Sequence, residues 1–268
     1  MEIIVNSEKL NKMIKNFLIV KNNIRVFHSI SELGTFSLEW LTDKINDVPD
    51  EKFFTVALSG GTTPKLLFEY LARHGNKSVN WNKILFFWSD ERCVLPESSD
   101  SNYRMARSSL LDKLYIPEEH IFRIYGEDAP EKEAQRYSNI LSENIPLENG
   151  FPRFDLILLG LGEDGHTASV FAGNTQLFQS QQFCEAVKHP QTGQKRITIT
   201  GPVINNAIDV AFLVTGSEKA EIVSKVLNDK TTDYPASLVC PKHGRLSWLL
   251  DKEAASLITS SISMPCLL

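Results

Sequence analysis

Short, mostly apolar runs, with helix-like segments between most of them, decide what this chain can fold into. The runs are FFTVALS (53–59), KILFFWS (83–89), FDLILLG (154–160), RITIT (196–200) and DVAFLVTG (209–216). Most are too continuously apolar for half-solvated strands, which would alternate, so they read as buried strands. NIRVFHS (23–29) and SLVC (237–240) are weaker strand candidates. PKLLFEYLARH (64–74), SNYRMARSSLLDKL (101–114), EKEAQRYSNILSENI (131–145) and SEKAEIVSKVLND (217–229) space their apolar residues as helices do. Pro64 suits a first helical turn, and Ser101 and Ser217 suit N-caps. Such alternation implies an α/β fold: a mostly parallel sheet with helices on both faces. Ligands of these sheets bind beyond the carboxyl ends of the strands, where three of the strongest motifs here fall.

The bulk numbers remove several classes of function. Of the 268 residues 42% are hydrophobic and 23% charged, an ordinary globular composition. No linker, repeat or low-complexity tract interrupts it, so residues 24–268 read as a single α/β domain and residues 1–23 as an N-terminal amphipathic helical arm. A net charge of −5 argues against nucleic acid as a partner, yet leaves room for a small anion held by local cations. No apolar stretch is long enough to span a bilayer, and charge interrupts the amino terminus too often for a secretory signal. Cys93, Cys184, Cys240 and Cys266 form no C-x-x-C pair, which suggests reduced thiols in the cytoplasm, with neither a disulfide frame nor a zinc site. His28, His74, His120, His189 and His243 occur singly, without H-x-x-x-H spacing, so metal catalysis has little support.

The loops after the strands carry the chemistry. In FDLILLGLGEDGHTASVFAGN (154–174) an apolar strand breaks into a loop bearing Glu163, Asp164 and His166. His166 can move a proton near neutral pH, and a neighbouring acid can orient it. Gly160, Gly162 and Gly165 also spell G-x-G-x-x-G, but two acids inside the turn oppose a pyrophosphate, and no clear second strand ends in an acid about 20 residues on. After the strand at 53–58, Gly60, Gly61, Thr62, Thr63 and Pro64 make an anion cradle, or else a tight βα turn; a nucleotide P-loop ending is missing. Asp90, Glu91 and Arg92 leave the strand at 83–89. Arg92 suits a phosphate or a developing oxyanion, and Asp90 a base or an orienting group. Glu91 reads better as part of a solvated or salt-bridged turn, and nothing in the sequence activates Cys93 as a nucleophile. Lys219 stands in a first helical turn, where a cation opposes the helix dipole unless it faces an anion. Arg196 opens RITIT, as an anion ligand or as an arginine at the solvent edge.

ALSGGTTP (57–64), WSDERCV (88–94), SNYRMA (101–106), FDLILLGLGEDGHTASVFAG (154–173), RITIT (196–200), VTGSEKA (214–220) and VCPKHGRLSWLLDKEAA (239–255) together resemble the 6-phosphogluconolactonase family, over roughly residues 24–257 and in the family's order. The resemblance implies a sugar-phosphate-isomerase-like α/β fold. It implies hydrolysis of 6-phospho-D-glucono-1,5-lactone in the oxidative pentose phosphate pathway, without metal or cofactor. It makes His166 the general base and Asp164 its support, and sets Gly60, Gly61 and Thr62 on the 6-phosphate, with Arg92 and Lys219 around phosphate and carbonyl. Glucosamine-6-phosphate deaminases share a D-G-H loop but usually continue I-A-F-N-E-P. Here Thr167, Ala168, Ser169, Val170 and Phe171 follow, which favours the lactonase. A non-catalytic sugar-phosphate sensor is the remaining alternative.

Overall fold

In the computed structural model residues 23–75, 77–228 and 233–258 are described. The arm expected over residues 1–23 lies outside them, except for Asn23. The elements are β1 (Ile24–Phe27), α1 (Ile30–Asn46), β2 (Phe54–Leu58), α2 (Thr62–His74), β3 (Ile84–Trp88), β4 (Asp90–Arg92), α3 (Asn102–Ala106), α4 (Pro130–Asn144), the short hairpin β5 (Leu147–Glu148) and β6 (Phe151–Pro152), β7 (Leu156–Leu159), β8 (Cys184–Lys188), β9 (Lys195–Ile199), α5 (Gly201–Asn206), β10 (Asp209–Val214), α6 (Ala220–Asn228) and β11 (Arg245–Asp251). The main sheet has the order β1-β11-β10-β7-β2-β3, and every neighbouring pair is parallel.

That order locates the site before any side chain is considered. From β2 the chain steps outward to β3, whereas from β7 it steps the other way, to β10 and then β11. A crevice therefore opens at the carboxyl ends of β2 and β7, where the strand order reverses. The SGGTTP and GLGEDGH loops leave from those two ends.

Both faces of the sheet are covered by helices. Phe54, Val56, Leu58, Ile84 and Phe86 face α1 and α2, whose Leu41, Leu67 and Phe68 share one small apolar void with them. On the other face Phe87 stacks on Phe122 at 4.8 Å and Phe212 on Trp248 at 4.0 Å. There the Tyr137 hydroxyl of α4 accepts from Trp88 N at 2.8 Å and donates to Trp88 O at 3.1 Å.

Several expectations need correction. RITIT is not in the parallel sheet; as β9 it lies antiparallel between β4 and β8. Polar Arg196 and Thr198 alternate with apolar Ile197 and Ile199, the sequence pattern of an antiparallel strand, though Thr198 is buried as well. SLVC is not a strand: Ser237 and Leu238 end a 3₁₀ turn over Pro235–Leu238, and the sheet strand nearby is RLSWLLD. Ser217 does not cap a helix: Gly216, at φ 102°, precedes a 3₁₀ turn over Ser217–Lys219, and α6 follows. The segment from 101 is α-helical only over Asn102–Ala106, then widens to a π turn and tightens to 3₁₀, ending at left-handed Tyr115. Ser101 does cap it, accepting from Arg104 N. The unexpected helix α1 carries its own signal, Ser29-x-x-Glu32, with Ser29 capping Glu32 N and Glu32 reaching back to His28 N. Cys93 and Cys184 are free thiols, but Cys240 is disulfide-bonded, which the lack of a C-x-x-C pair does not exclude. Among the described residues no helix is long and apolar enough to cross a membrane.

Candidate active site

The loop after β7 presents a histidine–carboxylate pair. His166 Nδ1 lies 2.5 Å from Asp164 Oδ1, and the same oxygen accepts from His166 N at 3.2 Å. The bond to the His166 ring holds the Asp164 carboxyl down at about 2. Asp164 is thus a carboxylate at any working pH, and Nδ1 must carry the proton towards it. That leaves Nε2 of neutral His166 bare, the form a general base needs. The ring sits 5.0 Å from Phe171, with about a quarter of the side chain exposed.

The glycines of this loop make room for that pair. A Cβ at Gly162 would come within 2.1 Å of His166 Nδ1 and 2.7 Å of Asp164 Oδ1. Its spacing therefore serves the histidine rather than a pyrophosphate. Gly162 N donates to His166 O at 2.9 Å and Thr167 Oγ1 to Gly160 O at 2.9 Å. Ala168 is left-handed, at φ 47°, an unfavourable conformation for a residue with a Cβ, held by bonded neighbours on both sides.

Asp90 ties this loop to the next two. It is 4% exposed, and its carboxylate accepts from Ser169 Oγ at 2.5 Å and Asn102 Nδ2 at 3.3 Å. Ser169 N donates to Thr198 Oγ1 on β9. These contacts fix Asp90 against the loop after β7 through Ser169. Asn102 in turn lies so close to Gly60 that a Cβ there would come within 1.8 Å of its Oδ1. Glu91, on the opposite face of β4, is neither solvated nor salt-bridged. It is 2% exposed and accepts from the backbone N of Arg92, Asn102 and Tyr103 and from Ser101 Oγ, clamping the start of α3 to β4. Burial raises its carboxyl above the usual range even against those donors.

Two cationic poles flank His166. The first is the start of α2. Gly61, at φ 106°, precedes it, no side chain caps it, and Thr62 is exposed there. Thr63 Oγ1 meets Thr215 Oγ1 at 2.7 Å, joining this loop to the one after β10, which carries Lys219. Lys219 Nζ lies 3.8 Å from Glu163 Oε1 of the loop after β7, with 21% of the side chain exposed. The second pole is made by Arg92 and Arg196, directly opposite each other in the β4–β9 ladder. Like charges so placed repel unless an anion lies between them. Neither Nε, though buried, meets an acceptor, and Arg92 Nη1 donates to Asp100 O. Arg196 is partly buried, and its guanidinium lies over the Phe171 ring, 5.7 Å from the centroid. Burial, with the charge of Arg92, lowers its pKa, while Asp90 opposes the shift. Among the described residues no group of three or more potential ligands could hold a metal ion.

Sequence reasoning named Ser169, Asn102 and Phe171 only as members of motifs. Their roles depend on contacts between β4, β9 and the loop after β7, which no local spacing encodes.

A doubly wound parallel sheet with an oriented histidine between two cationic poles is the architecture of an enzyme for a small anionic molecule. Residues 29–248 match the family model described as glucosamine-6-phosphate isomerases/6-phosphogluconolactonase, and the chain belongs to that family. A 6-phosphogluconolactonase of Synechocystis is 45% identical over 204 residues, which is 75% of this chain and 82% of that protein. One of Treponema pallidum is 42% identical over 185 residues, 69% of this chain and 77% of that protein. The solved 6-phosphogluconolactonase of Trypanosoma cruzi superposes with a TM-score of 0.79 at 29% identity, covering 89% of this chain and 97% of that one.

Proposed function

We propose that this chain is an enzyme hydrolysing 6-phospho-D-glucono-1,5-lactone to 6-phospho-D-gluconate in the oxidative pentose phosphate pathway. The observation that carries the reading is the Asp164–His166 pair set between two cationic poles. The substrate has a phosphate at one end and a carbonyl at the other, and the product is anionic at both. The start of α2, with Gly60, Gly61, Thr62 and Lys219, holds the 6-phosphate. Arg92 and Arg196 face the carbonyl end and stabilise the charge that develops on its oxygen. His166 Nε2 takes a proton from water as the water oxygen bonds to C1. The tetrahedral intermediate then expels the ring oxygen, which receives that proton from His166, and the new carboxylic acid ionises into solvent. A lactone is an activated ester, so no covalent enzyme intermediate is needed. Asp164 and Asp90 orient, the first through His166 and the second through Ser169. The domain reading is one α/β unit over residues 24–268, acting in the cytoplasm on a small molecule, with no nucleic acid as partner. A net charge of −5 supports the last point.

The test is hydrolysis of freshly generated lactone, with 6-phosphogluconate read through its dehydrogenase and spontaneous hydrolysis subtracted at matched pH. Clear acceleration supports the reading. No acceleration from folded protein sinks it and moves the question to ammonia release from glucosamine 6-phosphate. Lys219→Ala is expected to raise KM about tenfold with kcat little changed, the loss of one charge-assisted hydrogen bond to the phosphate. An unchanged KM would make Lys219 a surface lysine. EDTA is expected to leave the rate unaltered; a loss restored by a divalent ion would contradict metal-free catalysis.

A further inference from the structure

The β8–β9 hairpin brings a histidine to the second cationic pole. In the antiparallel ladder Val187 stands opposite Arg196, and the register runs on through Lys188 and Lys195 to His189, whose N donates to Gln194 O at 2.9 Å. His189 is therefore the diagonal neighbour of Arg196 on the same face of the small sheet, and Arg92 lies beyond Arg196 on that face. The His189 ring meets Phe171 edge-on at 4.9 Å, and Phe171 also touches the His166 ring at 5.0 Å. One buried phenylalanine thus spaces the proposed base, Arg196 and this second histidine around the same crevice.

The hairpin also sets the proton on His189. Its Nδ1 accepts from Gln191 N and Thr192 N, each at 3.3 Å. A nitrogen that accepts twice carries no hydrogen, so the neutral ring must be protonated on Nε2. Partial burial and the charges of Arg196 and His166 lower its pKa, which favours that neutral form, with Asp164 opposing and Arg92 assisting.

We infer that His189 is a substrate-binding residue, the third donor of the Arg92–Arg196 pole, giving an Nε2–H hydrogen bond to the anionic oxygen group bound there. The inference rests on the lactonase reading and extends it: the pole becomes a three-donor site in which two charged forks and one neutral donor surround one anion. The turn that supplies His189 is 189-HPQTGQ-194. Its backbone N–H groups at Gln191 and Thr192 are used in fixing the ring.

The experiment is binding of 6-phosphogluconate by calorimetry to wild type, His189→Ala, His189→Phe and His189→Gln, with turnover of the lactone measured in parallel. His189→Phe keeps the ring against Phe171 and removes the donor, while His189→Gln keeps an amide N–H near Nε2. The expected result is about tenfold or more weaker binding, or an equal loss in kcat/KM, for both Ala and Phe, the size of one hydrogen bond to a charged group. Gln should recover much of it. A fall mainly in kcat assigns the bound group to the carbonyl oxygen in the transition state, and a rise mainly in KM assigns it to the phosphate. Wild-type binding with Phe equal to wild type would overturn the inference, because packing alone would then account for His189. Failure of the wild type to bind 6-phosphogluconate or turn over the lactone would instead overturn the function on which it rests. Thermal melting separates either result from misfolding.

Discussion

His166→Ala is expected to lower kcat by about 10²- to 10⁴-fold, the usual contribution of a positioned general base, while the protein stays folded. The fold should tolerate the change because His166 supports little of it. Its ring bonds Asp164 and touches Phe171, and about a quarter of the side chain is exposed. The loop itself is held by main-chain and hydroxyl bonds from Gly162, Thr167 and Ser169, which the substitution leaves alone. Asp164, left without its partner, is 39% exposed and returns to solvent at small cost. With its carboxyl at about 2, Asp164 adds no titration of its own to the neutral pH range of the rate profile. The coupled assay and a thermal melt on the same sample decide the matter. Turnover within a few-fold of wild type, with an unchanged melting curve, would remove His166 from the chemistry.

The site was legible in the sequence where it is local and hidden where it is tertiary. Asp164 and His166 stand two residues apart on a loop between glycines, and that spacing alone put an acid beside a base. Gly60, Gly61 and Pro64 likewise announce the helix start that forms the first pole. The parallel strands were readable because burial on both faces makes β2, β3, β7 and β10 apolar except for Thr55 and Asp209. Arg92 facing Arg196 was not readable, since it depends on the register between strands more than 100 residues apart. The same applies to Asp90, whose partners Ser169 and Asn102 come from two other loops. His189 looked like an isolated histidine because its place beside Arg196 depends on a diagonal across a hairpin. The missed β11 shows another limit: RLSWLLD begins polar and half-exposed at the sheet's amino end and becomes fully buried only from Trp248.

The largest loss of stability is expected from Glu91→Ala, about 3 kcal/mol or more, with the melting temperature about 6–12 °C lower for a chain of this size. Its carboxyl is raised by burial, so the charge itself is held at a cost and its removal is not what destabilises. The damage comes from what the carboxylate satisfies: the backbone N–H groups of Arg92, Asn102 and Tyr103 and the Ser101 hydroxyl, at 2.7–3.1 Å. Each buried donor left unpaired costs about 1–3 kcal/mol, so even partial relaxation leaves a large deficit. Glu91→Gln should fall between, because its amide oxygen still accepts while its NH₂ group opposes the remaining donors. Activity should fall with stability in the alanine variant. Asn102 opens α3 and holds Asp90, and Asp90 holds Ser169 of the catalytic loop, so a loosened α3 releases the loop that aims His166. A melting temperature within about 2 °C of wild type would mean that water replaces the carboxylate at α3 and that Asp90 keeps its partners without it.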